Sequence, residues 1–192
     1  MKIGVLALQG AFREHIEALK KCKVEAIEIK KSSQLDDIDG LIIPGGESTT
    51  IGLLMQQFNL GDKILEKANH GMPILGTCAG MVMLAKDIVD SEQFRLGLMD
   101  IIVRRNAFGR QRESFERSLN ISALGDEPFK AIFIRAPYIE ATSPNVEVLC
   151  KLDNEKIIFV KQGNCLAASF HPELTEDIRV HQYFVRLVNK TI

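Results

Sequence analysis

The segment MPILGTCAGMV, residues 72–82, has the pattern of a buried strand, a tight turn and the start of a helix. Cys78 stands at the turn in the order G-x-C-x-G, a cysteine form of the nucleophile elbow. A sharp turn lifts the side chain above the sheet, and only small neighbours such as Gly76 and Gly80 tolerate the crowding. The helix start also favours a thiolate over a thiol. The segment therefore predicts a strand–turn–helix unit with Cys78 as a candidate nucleophile.

The same segment has a simpler interpretation, in which Cys78 is a small buried residue where a strand packs closely on a helix. Free cysteine is often buried and inert. These residues alone leave both interpretations open, because an elbow pattern stays a hypothesis until its catalytic partners are found.

Outward from this segment, short apolar runs alternate with segments of helical periodicity through the first half of the chain. Strands are predicted at residues 3–8, 24–29, 41–43 and 73–77, and helices at 11–21, 49–70 and 79–88. This alternation indicates βαβ units and a parallel sheet covered on both faces. Ligands of such sheets bind beyond the carboxyl ends of the strands. Residues 9–10, 45–48 and 76–80 all fall at such ends, which locates the site.

The second half has a different pattern, in which strand-like segments follow one another through turns. These segments lie at residues 115–121, 129–135, 145–152 and 156–169. They predict added strands, several of them antiparallel, or a small flap. A closing helix is predicted from about residue 176 to 190, with Thr175 as its cap and one apolar stripe. No repeat or linker interrupts the chain, so residues 1–192 are predicted to form one domain.

The composition of the chain is that of a globular protein. Apolar residues make up 46% of the chain and the formal net charge is -1, so a sizeable core is expected and disorder is excluded. This charge balance provides no attraction to nucleic acid or to an anionic membrane, and neither is expected as a partner. The apolar run near the N-terminus is too short to span a bilayer, and no secretory signal is visible. A cytoplasmic protein is therefore expected.

The cysteines support that expectation. All four, Cys22, Cys78, Cys150 and Cys165, are widely scattered, with no Cys-x-x-Cys pair and no clustering with histidine. A disulfide framework and a structural metal site are both disfavoured by this spacing. Neither a metal nor a cofactor is expected, and any of the thiols is available as a nucleophile.

A nucleophilic cysteine needs a base within hydrogen-bond reach and a third group that holds the base. His171 ends an apolar strand and is followed by Pro172 and Glu173. In an extended chain, a spacing of two residues puts both side chains on one face, where the carboxylate can accept an imidazole N–H. Pro172 also biases His171 toward an extended conformation. A lone histidine at a strand end is usually structural, but this acidic partner favours a Cys78–His171–Glu173 triad.

The other three histidines lack a comparable acidic partner in the sequence. His15 and His181 fall on predicted helices, and His70 falls in a polar loop. All three are interpreted as structural or solvated residues.

A second glycine turn, PGGEST at residues 44–49, follows the strand predicted at 41–43. Two adjacent glycines let the backbone approach a ligand, so that N–H groups can point at a developing oxyanion. Taken alone, this is an ordinary strand-to-helix turn with Ser48 or Thr49 as the cap. Because it lies beside the elbow, we expect an oxyanion hole formed around Gly46 together with the N–H of Ala79.

The most basic stretch is RRNAFGRQR, residues 104–112. Such a run is usually a solvated loop, and nucleic-acid binding would need more basic surface and more aromatic side chains. An amino-acid substrate carries an α-carboxylate that arginine binds well. One arginine of this run is a candidate for that role. A similar cation, Arg135, ends an apolar strand within the segment 133–137, shortly before a proline.

PGGEST, GTCAG and HPE together resemble the class I, triad-type glutamine amidotransferases. Four further segments are similar to one branch of that class, the glutaminase subunits of pyridoxal 5′-phosphate synthase: LALQGAFREH (6–15), RNAFGRQRESF (105–115), FIRAP (133–137) and FHPELTED (170–177). The likeness covers nearly the whole chain from Gly4 onward, without departure at a motif position.

The resemblance implies a flavodoxin-like, three-layer αβα fold with a mostly parallel central sheet and added antiparallel strands. It implies Cys78 as nucleophile, His171 as base and Glu173 as the group that orients the base. It also implies that the glutamine site is lined by Gly46, Glu47, Ser48, Arg105, Ile134 and Arg135. The implied partner is a (β/α)8-barrel synthase that makes pyridoxal 5′-phosphate from ribose 5-phosphate, glyceraldehyde 3-phosphate and ammonia.

Two alternatives stay open at this point. The chain could serve a different synthase, such as the imidazole glycerol phosphate partner. It could also be a non-enzymatic scaffold whose cysteine senses oxidants, although the intact His171-Pro172-Glu173 sequence disfavours this second alternative.

Overall fold

The computed structural model describes residues 1–105, 114–153 and 155–191. Strands and helices alternate through its first part: β1 (Lys2–Leu6), α1 (Phe12–Lys21), β2 (Glu25–Ile29), β3 (Gly40–Ile43), α2 (Ser48–Gln57), α3 (Leu60–Asn69), β4 (Ile74–Thr77) and α4 (Ala79–Leu84). Strands dominate the remainder: β5 (Ala85–Ile88), β6 (Met99–Arg104), β7 (Ser114–Leu119), β8 (Phe129–Ile134), β9 (Tyr138–Thr142), β10 (Glu147–Lys151), β11 (Ile157–Gln162) and β12 (Cys165–Ala168), before the closing helix α5 (Arg179–Val188).

Ten strands of the described chain form one sheet, in the order β2-β1-β3-β4-β12-β11-β9-β6-β5, with β10 paired to β11. The neighbours from β2 to β12 are all parallel. Antiparallel pairing then joins β12 to β11, β11 to β9 and β9 to β6. The prediction of a mostly parallel sheet with antiparallel strands added by the second half is confirmed.

Helices cover both faces of the sheet, and the strand residues alternate between two cores. Leu41 and Ile43 pack in the first core, while Ile42 between them packs in the second. Helices α2, α3 and α4 close the first core, and α1, α5 and the two-stranded β7–β8 sheet close the second. This period of two is what a sheet buried on both faces requires. The three-layer αβα prediction is confirmed.

The pairing of β4 with β12 brings the segments that carry Cys78 and His171 together beyond the carboxyl ends of these strands. β4 and β12 are parallel neighbours, with Thr77 opposite Ala168. The next residue, Cys78, donates its N–H to the Ala168 carbonyl at 2.8 Å. Residues that follow β4 and β12 therefore leave the sheet side by side.

Two predicted helices have different bounds in the structure. The helix predicted at 79–88 ends at Leu84, and the next four residues form β5, an edge strand that pairs with β6. The helical stretch predicted at about 49–70 contains two helices, which are separated where Asn59 adopts φ 51°. Short apolar runs do not distinguish a helix from a strand, and only the neighbour β6 decides the outcome at residues 85–88.

The closing helix begins at Arg179, so the prediction that Thr175 caps it is wrong. A short 3-10 turn at Pro172–Leu174 and a bend intervene, and the Thr175 hydroxyl donates to the Pro172 carbonyl at 3.2 Å. The Asp177 carboxylate instead accepts the Arg179 N–H at 3.1 Å. Within the described part of the chain, no helix combines the length and the apolar character needed to cross a membrane.

The crossing of α4 over β3 supplies a stability prediction. A Cβ atom added at Gly80 would lie 2.0 Å from the Ile43 carbonyl oxygen. Gly80→Ala should therefore lower the free energy of unfolding by about 3 kcal/mol, because the backbone must move to relieve the overlap. Urea denaturation measures the loss. Gly97→Asn is the control, since Gly97 has φ 66° and open space around it, and asparagine tolerates that conformation. Equal stability of the two variants would contradict the close crossing.

Candidate active site

The elbow holds Cys78 in a conformation that few residues adopt. Its backbone has φ 48° and ψ -104° at the junction of β4 and α4. A Cβ at Gly76 would approach the Gly80 carbonyl oxygen to 2.5 Å, so the turn closes only because these two positions lack side chains. The structure agrees with the crowding that the sequence pattern predicts. Cys78 is nearly buried, and its Sγ lies 3.9 Å from the Ile134 carbonyl oxygen.

His171 lies between the thiol and a carboxylate. Its Nδ1 and the Glu173 Oε1 are 2.7 Å apart, and its side chain lies close enough to Cys78 for the thiol to raise its pKa. The spacing of two residues therefore places the carboxylate on the imidazole, as the sequence predicts. The backbone N–H of His171 donates to the Ile132 carbonyl at 2.8 Å, and this bond attaches the segment to β8.

Electrostatics favour a charged imidazole in this arrangement. Burial lowers the pKa of His171, but hydrogen bonds with Cys78 and Glu173, and their charges, raise it to about 10. Burial raises the pKa of Glu173, but its contacts with the His15 and His171 imidazoles outweigh burial and lower that pKa below its usual range. An imidazolium between a thiol and a carboxylate is the charge state that activates a cysteine nucleophile.

Gly45 marks how closely the glycine turn approaches this pair. A Cβ added there would lie 2.3 Å from His171 Cε1 and 3.3 Å from Cys78 Cβ. Gly45 is buried, and its carbonyl accepts the Ala11 N–H at 3.1 Å. The turn therefore lies against both reacting groups, and only glycine leaves them room.

The glycine turn is held by Gln9, a residue whose role the sequence pattern does not predict. Gln9 Oε1 accepts the Glu47 N–H at 2.7 Å. The Glu47 carboxylate caps α2 by accepting the Thr50 N–H at 2.8 Å. Burial raises the pKa of Glu47, but hydrogen bonds from Thr49 and Thr50 outweigh it and hold that pKa low. The Glu47 side chain is thus occupied in capping the helix, while Gly46 is exposed at the turn.

Three polar side chains converge beside this turn. Arg105 Nη1 donates to Gln93 Oε1 at 2.6 Å and to Ser48 Oγ at 3.3 Å. Arg105 and Ser48 are expected here from the sequence, but Gln93 is not, because it lies in an irregular segment after β5 and belongs to no motif. Residues 106–112 of the basic stretch lie outside the described residues.

The other predicted lining residues take different positions around Cys78. Ala79 is buried as the first residue of α4, and Ile134 is 39% exposed at the end of β8. Arg135 follows it on the surface with φ 42°. The end of β8 therefore borders the elbow through its backbone, because the carbonyl that faces the Cys78 thiol is that of Ile134.

Comparison with known proteins decides the family. The sequence pattern that defines the SNO glutamine amidotransferase family matches residues 5–190. The chain belongs to this family. It is 61% identical over 188 residues to the pyridoxal 5′-phosphate synthase subunit PdxT of Desulforamulus reducens, covering 98% of this chain and all of that protein. The subunit of the same name from Thermotoga maritima is 52% identical over 188 residues, again 98% of this chain and 100% of the relative.

Solved structures agree with this assignment. A crystal structure described as a glutamine amidotransferase superposes with a TM-score of 0.93 at 49% identity, covering 97% of this chain and 98% of that one. A putative GMP synthase protein from Thermoplasma acidophilum has a TM-score of 0.72 at 17% identity and covers 100% of this chain and 95% of that one. The second likeness concerns the fold alone. The flavodoxin-like amidotransferase fold is confirmed.

The prediction from the sequence that His15 lacks an acidic partner is wrong. Its Nε2 lies 3.3 Å from Glu173 Oε2. No sequence signal could show this contact, because 158 positions separate the two residues (173 − 15). Among the described residues, no group of three histidine, cysteine or acidic side chains is arranged to hold a metal ion.

The approach of Gly45 to the amidotransferase site generates a prediction. Gly45→Ala should displace the His171 imidazole and slow alkylation of Cys78 by iodoacetamide at neutral pH by about tenfold or more, because a thiol without its partner is mostly protonated. Mass spectrometry of the two alkylated peptides gives the rates for Cys78 and for Cys22 in one sample. Cys22 is the internal control, since it is partly exposed at the far end of α1. An unchanged ratio of the two rates would show that Gly45 does not limit the position of His171.

Proposed function

We propose that this amidotransferase hydrolyses L-glutamine to glutamate and ammonia through Cys78, His171 and Glu173, as the glutaminase subunit of a pyridoxal 5′-phosphate synthase. The observation that carries the proposal is the placement of His171, which packs against Gly45 beside Cys78 and is hydrogen-bonded to the Glu173 carboxylate. A sensor thiol has no need for a base held in this way.

The first step forms a covalent intermediate. The Cys78 thiolate attacks the side-chain carbonyl carbon of glutamine, and the carbonyl oxygen acquires negative charge. Backbone N–H groups around Gly46 and Ala79 stabilise that charge. Two neighbouring N–H groups are excluded from this task, since the Cys78 N–H binds the Ala168 carbonyl and the Glu47 N–H binds Gln9. The oxyanion hole is therefore assigned to the turn at Gly46 and the first residue of α4.

Proton transfers complete the reaction. The protonated His171 donates its proton to the leaving nitrogen, so that the C–N bond breaks, ammonia departs and a γ-glutamyl thioester remains on Cys78. The neutral His171 then takes a proton from water, which attacks the thioester and releases glutamate. Glu173 keeps the imidazole oriented and stabilises its charged form throughout.

Substrate recognition is assigned to the polar group beside the glycine turn. The α-carboxylate of glutamine requires a cation, and Arg105 is held there by Gln93 and Ser48. Arg135, Ile134 and Gly46 complete the proposed lining, while Glu47 contributes through its backbone because its carboxylate caps α2. Charge-assisted bonds between a guanidinium and a carboxylate provide both affinity and orientation.

The acceptor of the ammonia is assigned to another chain. The amidotransferase pattern extends over residues 5–190, and the relative from Desulforamulus reducens, which matches over its whole length, is named a subunit of pyridoxal 5′-phosphate synthase. We assign the acceptor site to a (β/α)8-barrel partner, as the resemblance of the sequence implies. Ammonia that is released into water at neutral pH is mostly protonated, and ammonium cannot attack a carbonyl. Direct transfer of ammonia between the two chains is therefore useful.

The four free cysteines fit a reducing compartment, and we assign the protein to the cytoplasm.

The central test measures glutamine hydrolysis with and without the barrel synthase. Cys78→Ala should reduce glutamate release in the assembled complex by at least about a thousandfold, because the covalent route is lost. Circular dichroism should show an intact fold. Cys22→Ala is the matched control and should retain full turnover. Near-normal hydrolysis by the Cys78 variant would refute the triad. Stimulation only by the imidazole glycerol phosphate synthase partner would instead identify the other amidotransferase class.

Arg105 provides a test of substrate recognition. Arg105→Ala should raise the KM for glutamine by about tenfold and change kcat less, because it removes a charge-assisted contact made in both the ground and transition states. Arg104→Ala is the matched control, since its guanidinium instead pairs with Glu140 at 2.6 Å. If the two variants have the same KM, Arg105 has no role in binding the substrate carboxylate.

A further inference from the structure

A buried network of polar side chains lies behind the triad, on the side of the sheet covered by α1 and α5. His15 on α1 and His181 on α5 are both fully buried. His15 Nδ1 lies 2.9 Å from His181 Nε2, and His15 Nε2 lies 3.1 Å from Thr77 Oγ1 and 3.3 Å from Glu173 Oε2. One imidazole thus contacts the last residue of β4, the closing helix and the carboxylate of the triad.

Geometry determines which nitrogen of His15 carries the proton. If Nδ1 carried it, the lone pair of Nε2 would face the carboxylate oxygen of Glu173 and repel it. If Nε2 carries it, the N–H is directed at Thr77 Oγ1 with Glu173 Oε2 nearby, and Nδ1 accepts a hydrogen bond from His181 Nε2. In the second arrangement His181 Nδ1 is an unprotonated acceptor without a partner, which is less costly than a buried N–H donor without one. This is therefore the arrangement with the smaller cost.

Charge supports the same assignment. Burial lowers the pKa of His15, and the charge of His171 lowers it further, against the opposing charges of Glu173 and Glu14. Burial lowers the pKa of His181 to about 3. Both imidazoles are therefore neutral, so they act on Glu173 as oriented dipoles and not as competing cations that would remove its charge from His171.

The Glu173 carboxylate needs such a partner on its second oxygen. Its side chain is fully buried, and Oε1 is hydrogen-bonded to His171 Nδ1. Among the described residues, Oε2 has no hydrogen-bond partner, and the imidazole of His15 approaches it, with Nε2 at 3.3 Å. A buried carboxylate oxygen without a donor is costly and free to rotate away from the group that it should orient.

We propose that His15 is a positioning residue of the glutaminase triad: the dipole of its Nε2–H group, with Nε2 3.3 Å from Oε2, stabilises the second oxygen of Glu173, and His181 sets the tautomer that makes this possible. This inference rests on the proposed function of Glu173 as the orienting group of His171. Glu173 is then held between two imidazoles, one of which reacts while the other fixes the plane of the carboxylate. Because the same Nε2 faces Thr77, the residue before Cys78, His15 also connects the base to the strand that carries the nucleophile.

Two substitutions at His15 test the proposal in the complex with the synthase. His15→Leu removes the donor, and should lower kcat by about tenfold with little change in the KM for glutamine, which is the size of effect typical of residues that orient a ligand or base. His15→Gln keeps a donor and an acceptor near the positions of the two ring nitrogens and should recover most of the lost turnover. Leu19→Ala, which opens a cavity under the same helix, is the stability control.

The rescue by glutamine is the readout that a purely structural role would not produce. A loss of kcat that is equal in His15→Leu and His15→Gln, or that Leu19→Ala reproduces at equal loss of Tm, would overturn the proposal. His181→Leu, which leaves Glu173 untouched, should lower kcat in the same direction by a smaller factor. If His15→Leu fails to fold, this variant and His15→Gln still decide the matter.

A second measurement separates this inference from the proposed function itself. The rate of Cys78 alkylation by iodoacetamide depends on its pairing with His171 and requires neither glutamine nor the synthase. The rate should fall in His15→Leu and recover in His15→Gln, with Cys22 as the internal reference. Absence of glutamine hydrolysis by the unsubstituted complex would refute the proposed function, whereas alkylation rates that are equal in all three proteins would refute the positioning role.

Discussion

The left-handed backbone of Cys78 is the constraint on which the site depends. A non-glycine residue at φ 48° and ψ -104° costs on the order of 1–3 kcal/mol and persists only where its surroundings enforce it. The surroundings here are the Ala168 carbonyl, which accepts the Cys78 N–H, and the close contacts at Gly76 and Gly80. The strain is therefore held by two neighbouring strands and a helix, and it directs the thiol toward the imidazole that follows β12.

Buried charge is the second constraint, and it makes the stability of the fold depend on pH. The pKa of Glu173 is lowered, so its contribution to stability is present above its ordinary value of 4.5 and is lost as the pH falls below that range. The pKa of His171 is raised, so its contribution is complete below 6.5 and is lost as the pH rises toward about 10. The charged pair thus stabilises the fold over the neutral range in which cysteine chemistry operates. Neutral His15 and His181 complete the network without removing that charge.

Much of the fold and of the central site could be predicted from the sequence, because both depend on local patterns. Short apolar runs indicated the parallel strands, and the spacing of His171 and Glu173 indicated their contact. Long-range pairing decided the rest: residues 85–88 became a strand only because β6 lies beside them. Gln9, His15 and Gln93 likewise acquire their contacts from residues at least 12 positions away. A single polar residue on a helix or in a loop carries no pattern from which such contacts follow.

The adjacency of β4 and β12 has a consequence for how this architecture can vary. Cys78 and His171, the proposed nucleophile and base, follow hydrogen-bonded neighbours in the sheet, whereas much of the chain between them builds the margin from β11 outward to β5. The strands of that margin can be lengthened, shortened or reshaped without separating the thiol from the imidazole, whereas β8 contacts both residues through its Ile134 and Ile132 carbonyls. The proposed reaction is therefore tied to one fixed pair of strands. Variation in surface shape, and the new protein contacts that it permits, is concentrated on one side of the sheet.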